Sequence, residues 1–288
     1  MTTAVGLILV GAVFAFAIRD LADRARREQE LEERVADRTA ALNEAVESLR
    51  ISNRELEQFA SVASHDLQEP LRKIEAFGDR LKTRSDEHFD DQGRDYLDRM
   101  LQSATRMRKL INDLLTFSRV TTKAQPAEQL SLRKIAEEVA SDLEGRLQQG
   151  GGRIDLGELP QIEGDPLQLR QLMQNLISNG LKFQRPGVSP VVKVEGRLSR
   201  DGANGAVCEL TFQDNGIGFD EIYLDRIFNV FQRLHGRNEY EGTGMGLAIC
   251  RKIVERHGGT ITAKSKPNEG ARFIVTLPAK QAKRDQES

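Results

Sequence analysis

"GDPLQLRQLMQNLISNGLKF", residues 164–183, reads as one helix with two different faces. Asp165 is placed to cap it, and Pro166 takes the first helical position, where a missing N–H costs nothing. Leu169, Leu172, Met173 and Leu176 fall together, as on a helix laid against a core. Asn175, Asn179 and Lys182 stand at i, i+4 and i+7 on another face and align two amides with an ammonium. Amide oxygens suit a hard cation such as Mg²⁺, while amide nitrogens and an ammonium suit phosphate oxygens. Two asparagines alone are more often a solvated face, so the surrounding sequence decides.

Downstream, the helical period gives way to alternation. "VVKVEGRL" (191–198), "VCELTFQD" (207–214), "GTITAKS" (259–265) and "ARFIVTLPA" (271–279) read as strands. With helices expected at 131–148, 166–184 and 245–257, the order predicts an α/β sandwich with helices on one face of a mixed sheet. Two glycine-rich turns sit among these elements. In "QDNGIGFD" (213–220), Gly216 and Gly218 permit a tight turn, and Asp214 offers a carboxylate to an exocyclic amine. In "EGTGMGLAICRKIVERHGG" (241–259), Gly242, Gly244 and Gly246 open into a helix that His257 and Gly258 close. Backbone amides at such a helix start bind anions. No Lys-Ser/Thr pair follows, so this is not a P-loop, and no strand leads into it as in a dinucleotide fingerprint.

Upstream of about residue 120 the chain reads as helix. From 20 to 84 its only glycine is Gly78 and its only proline Pro70, and Val35, Leu42, Leu49, Leu56 and Ala63 recur every seven residues. That is a helix made to lie against partner helices, and its length fits a parallel dimer. "SDEHFDDQG" (85–93) reads as a turn, followed by a second amphipathic arm over 94–120. Two such hairpins, one per protomer, would close a four-helix bundle. "VTTKAQPAEQ" (120–129) is polar and aperiodic and marks a domain boundary.

The first eighteen residues carry no charge, and four arginines follow within the next nine, at 19, 24, 26 and 27. This predicts a membrane helix whose following side is cytoplasmic; a cleaved signal peptide is the alternative, and no basic residue precedes the apolar run. The abrupt start also fits a piece of a longer receptor. A net charge of −2 gives no argument for nucleic acid as partner. Cys208 and Cys250, far apart and without ligand spacing, read as core residues of a chain in a reducing cytosol.

"NLISNGLKF", "DNGIGF", "FNVFQRLH" and "GTGMGLAI", in that order, closely resemble the N, G1, F and G2 boxes of sensor histidine kinases. "SHDLQEPL" resembles the family's H-box. The resemblance covers roughly residues 50 to 280 and implies a multidomain chain: a helical hairpin forming a dimeric four-helix bundle, then an ATP-binding α/β sandwich of the GHKL (Bergerat) type. It implies the cofactors ATP and Mg²⁺, with Asn175 coordinating the metal, Asn179 and Lys182 at phosphates, and Asp214 reading the adenine amine. Gly216, Gly218, Gly242, Gly244 and Gly246 would shape pocket and lid. Phe228 and Phe231 would anchor the lid, Arg233 would reach the γ-phosphate, and Phe183, Thr243 and Leu247 complete the binding set.

His65 would be the phosphoacceptor and Asp66 the carboxylate that orients it and takes its proton. His88, His235 and His257 read as inert. The implied partners are a second copy of the chain and a response-regulator receiver domain, at the inner (cytoplasmic) membrane with the kinase domains in the cytoplasm. The boundaries follow as membrane helix 1–19, coiled-coil signalling helix 20–58, dimerisation and phosphotransfer domain 59–122, ATP-binding domain 123–280 and polar tail 281–288. Glu69 stands where many members carry Thr or Asn, which weighs against phosphatase activity. An ATPase of the same fold, or a dimeric nucleotide-binding scaffold, is the alternative, and neither has a use for His65. Pro70 predicts a bend or loosening within one turn of His65.

Overall fold

The computed structural model describes residues 2–84, 90–122, 125–201, 205–234, 240 and 242–280; the side chains at 2–18, 20–23, 49–50, 52–65 and scattered further helix and strand positions lie outside that description. The expectations that rest on residues 85–89, His88, His235 and the tail at 281–288 therefore lie outside the described residues, as do those on the side chains of Leu49, Leu56 and Ala63. The chain divides into two units, Met1–Phe59 and Ala60–Ser288.

Helix α1 (Thr2–Arg84) supplies the whole described part of the first unit. There Val35 and Leu42, one heptad apart, are exposed in the single chain. Among the described residues no helix is long and apolar enough to cross a membrane. The apolar run expected to do so has its side chains outside those residues.

The second unit opens with the C-terminal part of α1, which is continuous through Pro70. The proline does not end the helix: Leu71 beside it is buried, and Gln68 Nε2 donates to Asn112 Oδ1 at 2.7 Å. Asp90 starts α2 (Asp91–Thr122) by accepting from Gly93 N at 2.8 Å. The two helices pair antiparallel in steps of one heptad. Gln68 meets Asn112, Glu75 accepts from Thr105, and Lys82 Nζ lies 2.8 Å from Asp98 Oδ1. Gly78 marks their close approach, since a Cβ there would fall 2.3 Å from Leu101 Cδ2.

Beyond α2 the chain forms β1 (Glu128–Ser131), α3 (Leu132–Asp142), α4 (Glu144–Gly150), β2 (Arg153–Leu156), β3 (Gln161–Gly164) and α5 (Pro166–Lys182). Then come β4 (Val191–Asp201), β5 (Gly205–Asp214), a 3₁₀ turn (Glu221–Tyr223), α6 (Leu224–Ile227), α7 (Gly246–Arg256), β6 (Thr260–Lys266) and β7 (Gly270–Pro278). Five strands make a mixed sheet in the order β2-β4-β5-β7-β6, parallel only at β2-β4, while β1 and β3 pair separately. The helix expected over 131–148 is two, broken at Leu143.

Period-2 alternation sends Cys208, Leu210 and Phe212 of β5 inward beside their register partners Leu277, Val275 and Phe273 of β7. Helices α3, α5 and α7 cover that face with Val139, Leu172, Ile177, Ile249 and Ile253, all nearly free of exposed surface. Both cysteines belong to this core, and burial pushes each thiol up to about 12. His257 is buried at the end of α7, where it accepts from Asp165 N through Nε2 at 3.1 Å.

Candidate functional site

A cleft of about 740 Å³ opens between α5, the end of β5 and the segment that leads into α7. Asn175, Asn179, Lys182, Phe183, Asp214, Gly218, Arg233, Gly242, Thr243, Gly244, Gly246 and Leu247 line it. Gly216, Phe228 and Phe231 stand behind or beside it rather than among the lining residues.

At one end, Asp214 terminates β5 with its carboxylate held from the protein side. Gly216 N and Ala271 N both donate to Oδ1, at 2.9 and 3.1 Å. Among the described residues no protein group donates to the other oxygen. Burial raises the Asp214 carboxyl above its usual range, and these two amides act against that shift without cancelling it. The turn after Asp214 needs glycine at 218, where φ is +58° and a Cβ would meet the Lys266 carbonyl oxygen at 2.2 Å. Asn215 pins the same turn by accepting from Val191 N and donating to the Ser189 carbonyl.

At the other end, Asn175 Nδ2 donates to the Gly246 carbonyl at 3.2 Å, and its Oδ1 accepts from Gln171 Nε2 at 3.1 Å. Lys182 Nζ lies 3.9 Å from the centre of the Phe183 ring, which packs against Tyr240 at 5.1 Å. Arg233 holds the glycine-rich segment, donating to the carbonyls of Gly242, at 2.8 Å, and Tyr240. Its guanidinium is thus engaged with the lid backbone. Gly244 has φ +77°, with the Gln232 carbonyl 2.8 Å from where a Cβ would stand. Phe228 is buried edge-on against Phe273 with Arg251 over its ring, whereas Phe231, at φ +61°, is 56% exposed.

The helical hairpin forms part of the same wall. Lys109 and Asp113 of α2 line the cleft, and Thr243 Oγ1 donates to Asp113 Oδ2. Further along, Gln168 Nε2 donates to the Val120 carbonyl at 3.0 Å and Lys252 Nζ sits 4.2 Å from the Phe117 ring centre. No local pattern points to Lys109, Asp113 or Tyr240; Gln171, one turn before Asn175 on the face already singled out, was the readable one. Asp66 is exposed on α1, and the His65 side chain lies outside the described residues.

Among the described residues no group of three His, Cys, Asp or Glu could hold a metal ion. Mg²⁺ keeps several waters and takes substrate phosphates, and the Asn175 amide oxygen is of the kind it accepts.

Two family models match the chain. Residues 55–123 match the His Kinase A (phospho-acceptor) domain. Residues 164–281 match the histidine kinase-, DNA gyrase B- and HSP90-like ATPase. The chain belongs to the histidine kinase family.

Among its relatives, the phytochrome-like protein Cph1 of Synechocystis is 40% identical over 237 residues, 82% of this chain and 31% of that protein. The sensor histidine kinase AruS of Pseudomonas aeruginosa is 32% identical over 262 residues, covering 87% of this chain and 26% of its own. This chain therefore spans about a third or less of these relatives' lengths. The crystal structure of full-length ShkA in complex with AMPPNP shares the fold, with a TM-score of 0.59 at 23% identity over 78% of this chain and 46% of that one.

Proposed function

We propose that this chain is a transmitter module that binds ATP in the cleft and phosphorylates His65, for onward transfer to an aspartate of a response-regulator receiver domain. The observation that carries the proposal is the convergence on one cleft of a buried, backbone-anchored carboxylate (Asp214), an Asn-Asn-Lys face (Asn175, Asn179, Lys182) and a glycine-rich helix start. Asp214 Oδ2 accepts from the adenine amine, while Asn179, Lys182 and the first amides of α7 take phosphate oxygens. Asn175 would hold Mg²⁺ through its amide oxygen, and that ion, when bound, neutralises charge on the phosphates.

The neutral His65 imidazole nitrogen attacks the γ-phosphorus. An N–P bond forms as the bond to the bridging oxygen breaks, ADP leaves with that electron pair, and the ring proton passes to Asp66. The hydrogen bonds suit this order of events: Gln68, three residues after His65, bonds Asn112, and its neighbour Asp113 bonds the lid residue Thr243.

The acceptor domain acts as a homodimer. Leu67, Ile74 and Leu81 on α1 and Met100, Met107 and Leu114 on α2 recur every seven residues and are exposed in the single chain. A second hairpin would cover them as a four-helix bundle. The apolar run at 1–18 would anchor the assembly in the cytoplasmic membrane, with residues 59–122 and 123–280 as the acceptor and ATP-binding domains on the cytoplasmic side. Flotation of the full chain with lipid vesicles, lost when it begins at residue 20, tests the anchor.

Activity is tested by incubating the chain with γ-labelled ATP. The expected product is protein-bound phosphate stable in base and released in acid; ATP hydrolysis with no protein-bound phosphate would favour a plain ATPase.

A further inference from the structure

A hydrogen bond joins the helical hairpin to the glycine-rich segment that leads into α7. Thr243 Oγ1 donates to Asp113 Oδ2 at 2.5 Å and accepts from Met245 N at 3.3 Å. Met245 is the N-cap residue of α7 and makes no side-chain cap of its own. Free N–H groups and the positive dipole end at a helix start favour negative charge. Asp113 brings that charge from α2, relayed by the Thr243 hydroxyl. It does so on the wall of the cleft that Asn175, Asn179 and Lys182 also line. A polyphosphate held by those three groups brings further negative charge to the same helix start.

We propose that the Asp113 carboxylate is an internal competitor of nucleotide phosphates: it holds Thr243, at the start of α7, until a phosphate chain displaces it. This rests on reading the cleft as a nucleotide site. Asp113 thereby sets how steeply affinity depends on the number of phosphates. Release is conformational and changes no covalent bond. It frees the Thr243 hydroxyl for a phosphate oxygen and removes one tie between α2 and the ATP-binding domain.

Two other ties between α2 and the α/β domain, Gln168 to Val120 and Lys252 over Phe117, lie nearer the end of α2 and do not involve Thr243. Lys109, one turn before Asp113, lines the same cleft, so α2 presents an attracting as well as a repelling group to the phosphate chain. Asn112, adjacent to Asp113, bonds Gln68, so the release is felt on α1 one turn from His65.

The test is calorimetric titration of the full chain and of Asp113→Asn and Asp113→Ala with adenosine, AMP, ADP and a non-hydrolysable ATP analogue. Asparagine can still accept from Thr243 but carries no charge. Both variants are expected to bind the ATP analogue about tenfold tighter, the scale of one relieved like-charge contact, with a smaller gain for ADP and none for adenosine. An equal gain for adenosine would make Asp113 a merely structural group and overturn the proposal. Binding that weakens as phosphates are added would overturn it too, because Asp113 would then support the bound state. Failure of the unmodified chain to bind the analogue would remove the nucleotide reading itself, whereas normal binding with an unchanged phosphate ladder in the variants removes only this proposal.

Discussion

In the α/β domain Leu172, Ile177, Leu210 and Val275 have no exposed surface, whereas in the hairpin Leu67, Phe77, Tyr96 and Met100 remain 54%, 60%, 65% and 45% exposed. Both regions have strong apolar periodicity; they differ in what covers it. A sheet with three helices on one face closes its core within one chain. Two antiparallel helices bury only the seam between them, at residues such as Leu71, Leu97 and Ala104, and leave an outer stripe that the proposed second copy would cover. The α/β part thus covers its own apolar face, whereas the hairpin leaves a stripe exposed in the single chain.

Substitutions in each region probe that contrast. Leu172→Ala removes a side chain with no exposed surface from the α/β core and should cost about 2–5 kcal/mol. Denaturant unfolding should show this loss together with loss of nucleotide binding, while Leu67→Ala leaves the α/β transition in place. Ile74→Asp combined with Met107→Asp would bury charge in the proposed dimer seam at a cost of about 3 kcal/mol or more. Sedimentation should then report monomers that still bind nucleotide; a dimer of unchanged strength would mean that the stripe is not the interface.

Asp214→Asn separates stability from function. Because burial raises this carboxyl, the folded state holds the proton more tightly than the unfolded chain does. That contribution is complete below the unfolded value and is lost as pH rises through the folded one, so at neutral pH the ionised group is a net cost. The variant should therefore be more stable than the unmodified chain at neutral pH, an advantage that vanishes in acid, while its ATP affinity falls. In the unmodified chain ATP binding should weaken on acidification at a pH above the ordinary carboxylate value of 3.8. Gly78→Ala is the mildest change, costing about 1 kcal/mol in hairpin stability. The clash there is with the movable end of Leu101, and the α/β domain should not register it.

Much of this arrangement is written in local pattern. The Asp165 cap and Pro166 foretell α5, and the alternation of β5 and β7 foretells the sheet face. The glycine turns foretell where backbone must come close. The short strands β1, β2 and β3, of four residues each, carry too little period to be read. The break at Leu143 had only Gly145 as a cue. Phe228 and Phe231 are three residues apart in one motif, yet one is buried against Phe273 and the other exposed in a left-handed conformation. Side-chain type alone does not separate them. The contribution of Lys109 and Asp113 is non-local, since nothing near residue 113 in the chain announces Thr243, 130 residues later. Pro70 lies inside α1, which continues past it with Leu71 buried beside it and Gln68 bonded to Asn112.

The proposed function requires the hairpin to accept a phosphoryl group, at a single side chain, from ATP held by the α/β domain. Labelling the full chain and its His65→Gln variant with γ-labelled ATP, at matched nucleotide occupancy, measures that directly. The account predicts acid-labile label on the unmodified chain and none on the variant; equal labelling of both would contradict it.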